Sequence, residues 1–175
     1  MLDELTKRKL FYIKNAYTES RKVHLDVPGD CMYKKILVPI DGSELSYMAV
    51  AGAASFAQKL GAEVYVLTVI EPYSYTNLSE YRPESIEQYD QRVKDQAKER
   101  LEKAREYFDK LGVKATICSK KSFSPSEAIM DVCDELGCDL IFMASHGRKG
   151  LAAVLLGSET QKVLTHTKVP VMVYR

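Results

Sequence analysis

At 175 residues the chain is long enough for one domain that buries roughly 70% of its unfolded surface without disulfide or metal staples. Its 25 basic residues balance 24 acidic ones, which excludes the basic footprint of a protein whose main partner is nucleic acid or a membrane surface. No run approaches the roughly 20 apolar residues of a membrane span and no signal-peptide core is present, so the chain reads as cytoplasmic. Cys31, Cys118, Cys133 and Cys138 form no CxxC pair and have no histidine at zinc spacing, and they read as buried apolar thiols.

Residues 1–31 precede the first strand pattern. Leu2, Leu5, Leu10, Ile13, Ala16 and Tyr17 share one helical face, which predicts an accessory helix that packs on the domain or on a partner rather than a membrane anchor. The run Met32-Tyr33-Lys34-Lys35 reads as a natural start for the core, so the domain is assigned to residues 32–175. The first strand is Lys35–Ile40. Asp41-Gly42-Ser43 then turns the chain, Ser43 caps a helix with Leu45, Ala49, Ala53, Phe56 and Leu60 on its inner face, and Gly61 stops it. The second strand is Val64–Ile70. A connection from Pro72 to Pro83 leads to a charged helix striped by Ile86, Tyr89, Val93, Ala97, Leu101, Ala104, Phe108 and Leu111.

The third strand, Val113 to Cys118, alternates apolar and polar residues as an edge strand does. Ser124-Pro125-Ser126-Glu127 predicts a capping box and a helix that stops near Gly137. The fourth strand is Leu140–Ala144. A further helix starts at Ser158, with Gln161 completing a second capping box, and the last strand is Val169–Tyr174. Alternating strands and helices predict an α/β fold with a parallel sheet wound by right-handed crossovers. The most apolar strands, one, two and four, belong at its centre, and strands three and five at its edges.

The chemistry concentrates between the fourth strand and the last helix. Met143-Ala144-Ser145-His146-Gly147-Arg148-Lys149-Gly150 follows a buried strand, and Gly157-Ser158 opens a helix. Glycines there let a phosphate approach the backbone, while first-turn amides and the helix dipole attract its charge. Gly147 is followed by nine residues before Gly157-Ser158, and Ala144 stands three residues before Gly147. This spacing resembles the nucleotide-binding signature of the universal stress protein family: glycine, two residues, glycine, nine residues, then glycine with serine or threonine. The resemblance continues at Ile36 to Glu44, at Leu67-Thr68-Val69-Ile70 and at the closing Val169-Pro170-Val171-Met172-Val173.

The resemblance implies a five-stranded sheet of order 3-2-1-4-5 that binds ATP with Mg²⁺ or Mn²⁺. It implies phosphate contacts from Gly147, Gly157 and Ser158, and adenine and ribose contacts from Asp41 and the backbone at Val69. Pro39, Ile40 and Met143 would line the base pocket, and Arg148 is a further candidate for the phosphates. Ala144 departs from the signature, because it stands where the first glycine belongs. The resemblance also implies a homodimer through Val169–Tyr174. Function then reads as a nucleotide-dependent conformational or partner switch in a stress response, the alternative being a slow ATP hydrolase of the α/β adenine-nucleotide hydrolase type. A receiver domain needs a pair of acids at the first turn, where only Asp41 stands, and no GxGxxG follows the first strand. His24, His146 and His166 have no assigned catalytic partner.

Overall fold

The computed structural model describes residues 33–74, 85–147 and 156–175. The expected helix within residues 1–31, most of the Pro72–Pro83 connection, and Arg148 lie outside them. Within the unit Tyr33–Arg175 the order is β1 (Lys35–Ile40), α1 (Glu44–Leu60), β2 (Glu63–Ile70), α2 (Ile86–Asp109), β3 (Ala115–Lys121), α3 (Pro125–Leu136), β4 (Leu140–Ala144), α4 (Ser158–His166) and β5 (Val171–Tyr174). The five strands form one parallel sheet of order β3-β2-β1-β4-β5.

Side-chain alternation along β1 divides the core. Ile36, Val38 and Ile40 point to a layer built from Ala49, Ala53 and Ala57 of α1 and Leu101, Ala104 and Phe108 of α2. Leu37 points the other way, with Leu67 and Ile141, toward Ile129, Val132 and Cys133 of α3 and Val163 of α4. A strand covered on both faces must be apolar throughout, which is why β1, β2 and β4 read as near-continuous hydrophobic runs. Complete burial of a side chain such as Phe108 contributes about 1.5–3 kcal/mol.

Ser43 caps α1 by accepting from the Ser46 amide at 3.2 Å, and Gly61 closes the helix with φ +65°. Only the second half of the α2 stripe reaches the sheet: Ala97, Leu101, Ala104 and Phe108 are buried, whereas Ile86 is 48% exposed. The first turn of α2 holds a capping box, Ser85 with Gln88, that the sequence reading did not single out.

Three local expectations are corrected. β3 covers Ala115–Lys121 rather than Val113–Cys118, because Val113 belongs to the turn closing α2, where its amide bonds the Phe108 carbonyl at 3.0 Å. The strand instead continues through Lys120 and Lys121, level with Val69 and Ile70 of β2. Lys120 pairs with Asp131 and Glu135 of α3, and Lys121 with Asp90 of α2, so this edge carries ammonium groups on both faces.

The expected capping boxes of α3 and α4 do not form. Ser124 makes no side-chain cap bond; the Ser126 amide donates instead to Glu159 Oε2 of α4 at 2.8 Å, and an ionised carboxylate is the stronger acceptor. In α4 the cap is Gly157, and Ser158 is the first helical residue, with no side-chain cap bond at all. The helix does start at Ser158 as expected, but the cap is Gly157, whose amide bonds the Ser145 carbonyl and whose carbonyl accepts from the Gln161 amide. Finally, β5 begins at Val171 rather than Val169, since Pro170 has no N–H to give; its carbonyl accepts from the Ile141 amide.

Candidate nucleotide site

The sheet order reverses direction between β1 and β4: β2 and β3 lie on one side of β1, β4 and β5 on the other. In sheets wound this way the switch point beyond the carboxyl ends of two such strands is where a ligand crevice forms. Pro39 helps to open it. The Lys35 carbonyl accepts from the Asp139 amide, so odd-numbered residues of β1 turn their backbone groups toward β4. Pro39 is the second odd position after Lys35, and it has no N–H to offer. The registered pairs of β1 with β4 are Ile36 with Leu140 and Leu37 with Ile141. The Ala144 carbonyl on the β1 side is bonded by the hydroxyl of Thr160 in α4 at 3.1 Å, and on the far side of β1 the Thr68 hydroxyl bonds the Ile40 carbonyl.

Asp41 stands just beyond β1. Its Oδ1 accepts from both the amide and the hydroxyl of Ser43, at 3.0 and 2.7 Å, which fixes the carboxylate in the turn. Its Oδ2 lies against Gly147: a β-carbon on that glycine would fall 2.5 Å away. The first turn and the loop after β4 therefore touch, and only a residue without a side chain permits it. Gly157 is also confined, though less tightly, since an added β-carbon would meet the backbone of His146 at 3.1 Å. Gly42 has φ +83°, and the side chain of Arg100 lies across it.

Asp41 beyond β1 thus meets Gly147 after β4, while Gly157 and Thr160 tie the start of α4 to the end of β4, with Pro39, Ile40 and Ser158 next to these contacts in the chain. Val69 stands level with Asp41, because its neighbour Thr68 is registered with Ile40. Ile40 and Met143 are buried in opposite core layers, so they bring strand-end backbone to the crevice more than side chain. Ala144 is the last residue of β4, and its methyl packs in the α1–α2 layer. An extended backbone costs alanine nothing there, so its departure from the signature carries no left-handed strain. Ser145 is buried, with its hydroxyl 3.1 Å from His146 Nδ1. Arg148 lies outside the described residues.

The amino end of α4 carries first-turn amides with no intrahelical acceptor, and its cap residue, Gly157, has no side chain to bond them. The arrangement can hold an anion. Thr160, Thr68, Glu159 and Arg100 were not singled out from sequence. A buried threonine one turn into a helix leaves no periodic signal, and Glu159 acts on a donor 33 positions earlier in the chain. Burial pushes the Glu159 carboxyl upward, but the Lys162 ammonium and the Ser126 amide outweigh it and hold the group below the ordinary carboxylate range.

Residues 32–175 match the model of the universal stress protein family. The chain is 31% identical over 147 residues to universal stress protein MJ0531 of Methanocaldococcus jannaschii, covering 84% of this chain and 85% of that protein. The solved structure of MJ0577, described as a structure-based assignment of biochemical function, superposes with a TM-score of 0.69 at 30% identity, over 82% of this chain and 96% of that one. The Archaeoglobus fulgidus universal stress protein in complex with dAMP shares the fold, with a TM-score of 0.58 at 23% identity, over 82% and 99% of the two chains. Matching fold, site spacing and relatives lead to one conclusion: the chain belongs to the universal stress protein family.

Proposed function

We propose that this protein binds ATP in the crevice beyond β1 and β4 and works as a nucleotide-dependent switch in a stress response. The observation that carries the reading is the amino end of α4, uncapped by any side chain yet anchored to the end of β4 through Gly157 and Thr160. Phosphates would lie against Gly147, Gly157 and the Ser158 amide and hydroxyl, with Arg148 as a further contact. Asp41 and the backbone at Val69 would meet ribose and adenine beside Pro39, Ile40 and Met143. A family member holding dAMP supports an adenine nucleotide as the ligand class.

Mg²⁺ or Mn²⁺ would accompany the triphosphate. Among the described residues no three His, Cys, Asp or Glu side chains cluster to hold a cation, which fits a metal carried by phosphate oxygens rather than by a protein cage. When bound, the cation would neutralise phosphate charge, while the chain's own amides set the position of the phosphates.

We also propose a homodimer through β5. All four of its residues are half-buried at a sheet edge, without the lysine pairs that blunt β3. No described helix is long and apolar enough to cross a membrane. Cytoplasmic location and a helical extension over residues 1–31 complete the proposal.

Calorimetric titration with ATP and with adenosine tests the site. Gly157→Val should remove ATP binding, because its side chain would push against His146 and displace the first turn of α4. Equal ATP affinity in both proteins would show the site to be elsewhere.

A further inference from the structure

Cys133 and Cys138 bracket the end of α3, far along the fold from the nucleotide crevice. Gly137 turns left-handed with φ +62°, and the Cys138 amide returns to the Cys133 carbonyl at 2.9 Å. This helix ending sets the two flanking side chains in contact, a place usually filled by hydrocarbon. Here both are thiols, 1% and 5% exposed. Cys133 Sγ donates to the Cys138 carbonyl at 3.6 Å.

The backbone bond also limits how far apart the residues can be. Adding covalent reach on either side of a 2.9 Å contact puts the two Cα atoms at most about 6.8 Å apart, which is the outer limit for a disulfide. Both side chains lie in the same core layer, packed with Ile129, Val132 and Ile141. Cys118 differs: it sits on β3, donates to the Val66 carbonyl at 3.5 Å, and burial raises its pKa.

We infer that Cys133 and Cys138 form a reversible dithiol–disulfide site at the base of β4, oxidised by a small hydroperoxide such as hydrogen peroxide. Cys133 sulfur attacks one peroxide oxygen, the O–O bond breaks, and the departing hydroxide takes the Cys133 proton as water. Cys138 sulfur then attacks the resulting sulfenic sulfur; the S–O bond breaks and the second hydroxide leaves as water with the Cys138 proton. Two thiols and one peroxide yield one disulfide and two waters. A small-molecule dithiol reverses it by exchange. The neighbouring Cys138 side chain holds the Cys133 thiol below its ordinary range, which favours Cys133 as the first sulfur to attack.

The bridge would tie more than two residues. Asp139, next in the chain, accepts from the Lys34 and Lys35 amides at 2.8 and 3.0 Å, and Lys35 Nζ bonds the Leu136 carbonyl. Oxidation would therefore rivet the end of α3 to the starts of β4 and β1.

The test treats the folded full-length chain with hydrogen peroxide, blocks remaining thiols, and maps peptides by mass. The expected result is a 133–138 cross-link with loss of two hydrogens, reversed by dithiothreitol. It should persist in Cys118→Ser and disappear in Cys138→Ala. The inference is overturned if peroxide adds oxygen to Cys133 without a link, if Cys31 or Cys118 is the bridged residue, or if the link forms only after denaturation. Mapping on the native sequence decides the matter even where a variant folds poorly.

Discussion

Thr160→Val tests how the amino end of α4 is held. Thr160 is 3% exposed, and its hydroxyl bonds the Ala144 carbonyl at 3.1 Å where β1 no longer supplies a partner. Valine keeps the shape but leaves that carbonyl without its donor, at a cost of about 1–3 kcal/mol. Burying a methyl in place of the hydroxyl offsets part of this, so a net loss of about 1–2 kcal/mol is expected. For a chain of this size that lowers Tm by roughly 2–8 °C. Urea unfolding should show a lower midpoint with an unchanged slope. Thr165→Val is the control: its hydroxyl bonds Gln161 of its own helix on an exposed surface, and it should change stability by less than about 0.5 kcal/mol. Should the two variants prove equally mild, Thr160 does not anchor the helix and the account of the α4 position fails.

Ala144→Gly should leave ATP affinity equal or somewhat higher, since the residue is extended and its methyl faces the core; calorimetry showing a clear loss would mean that Ala144 does not stand in for the signature glycine. The lowered Glu159 carboxyl contributes stability that is present above the ordinary carboxylate pKa and is lost as pH falls through its depressed folded value. The urea midpoint gap between native protein and Glu159→Gln should therefore close on acidification, and a gap that widens contradicts the assigned cause. A charge at Val173, as in Val173→Asp, should convert the proposed dimer to monomer by light scattering, with a chain starting at Met32 remaining dimeric. A dimer lost only on truncation would move the interface to residues 1–31.

The layered fold was legible because β1, β2 and β4 are apolar on both faces, and because Gly61 and Gly137 stop helices through left-handed turns that favour glycine. What escaped was long in sequence separation or contrary to local habit. Ser124 and Ser158 have the right neighbours for capping boxes, yet Glu159 takes the Ser126 amide through a tertiary contact and the Gly157 carbonyl takes the Gln161 amide within the helix. Lys120 and Lys121 read as loop, although side chains at an edge can reach carboxylates on either face. The glycine spacing marked the loop around the crevice; the local pattern did not explain why Gly147 must be bare. That reason is Asp41, more than a hundred positions away.

The lysines of β3 bear on how the sheet can grow. One end of the sheet is dressed with ammonium groups tied to helices above and below, so an incoming strand there would have to displace three carboxylate contacts and meet like charge from another copy. At the other end, the residues of β5 are Val171, Met172, Val173 and Tyr174, which bear no charge of their own. A sheet that accepts a neighbour at one end only can pair with its twin and then has nothing left to offer. In the proposed dimer, association by strand addition would end at two copies, and a filament would have no second site from which to propagate.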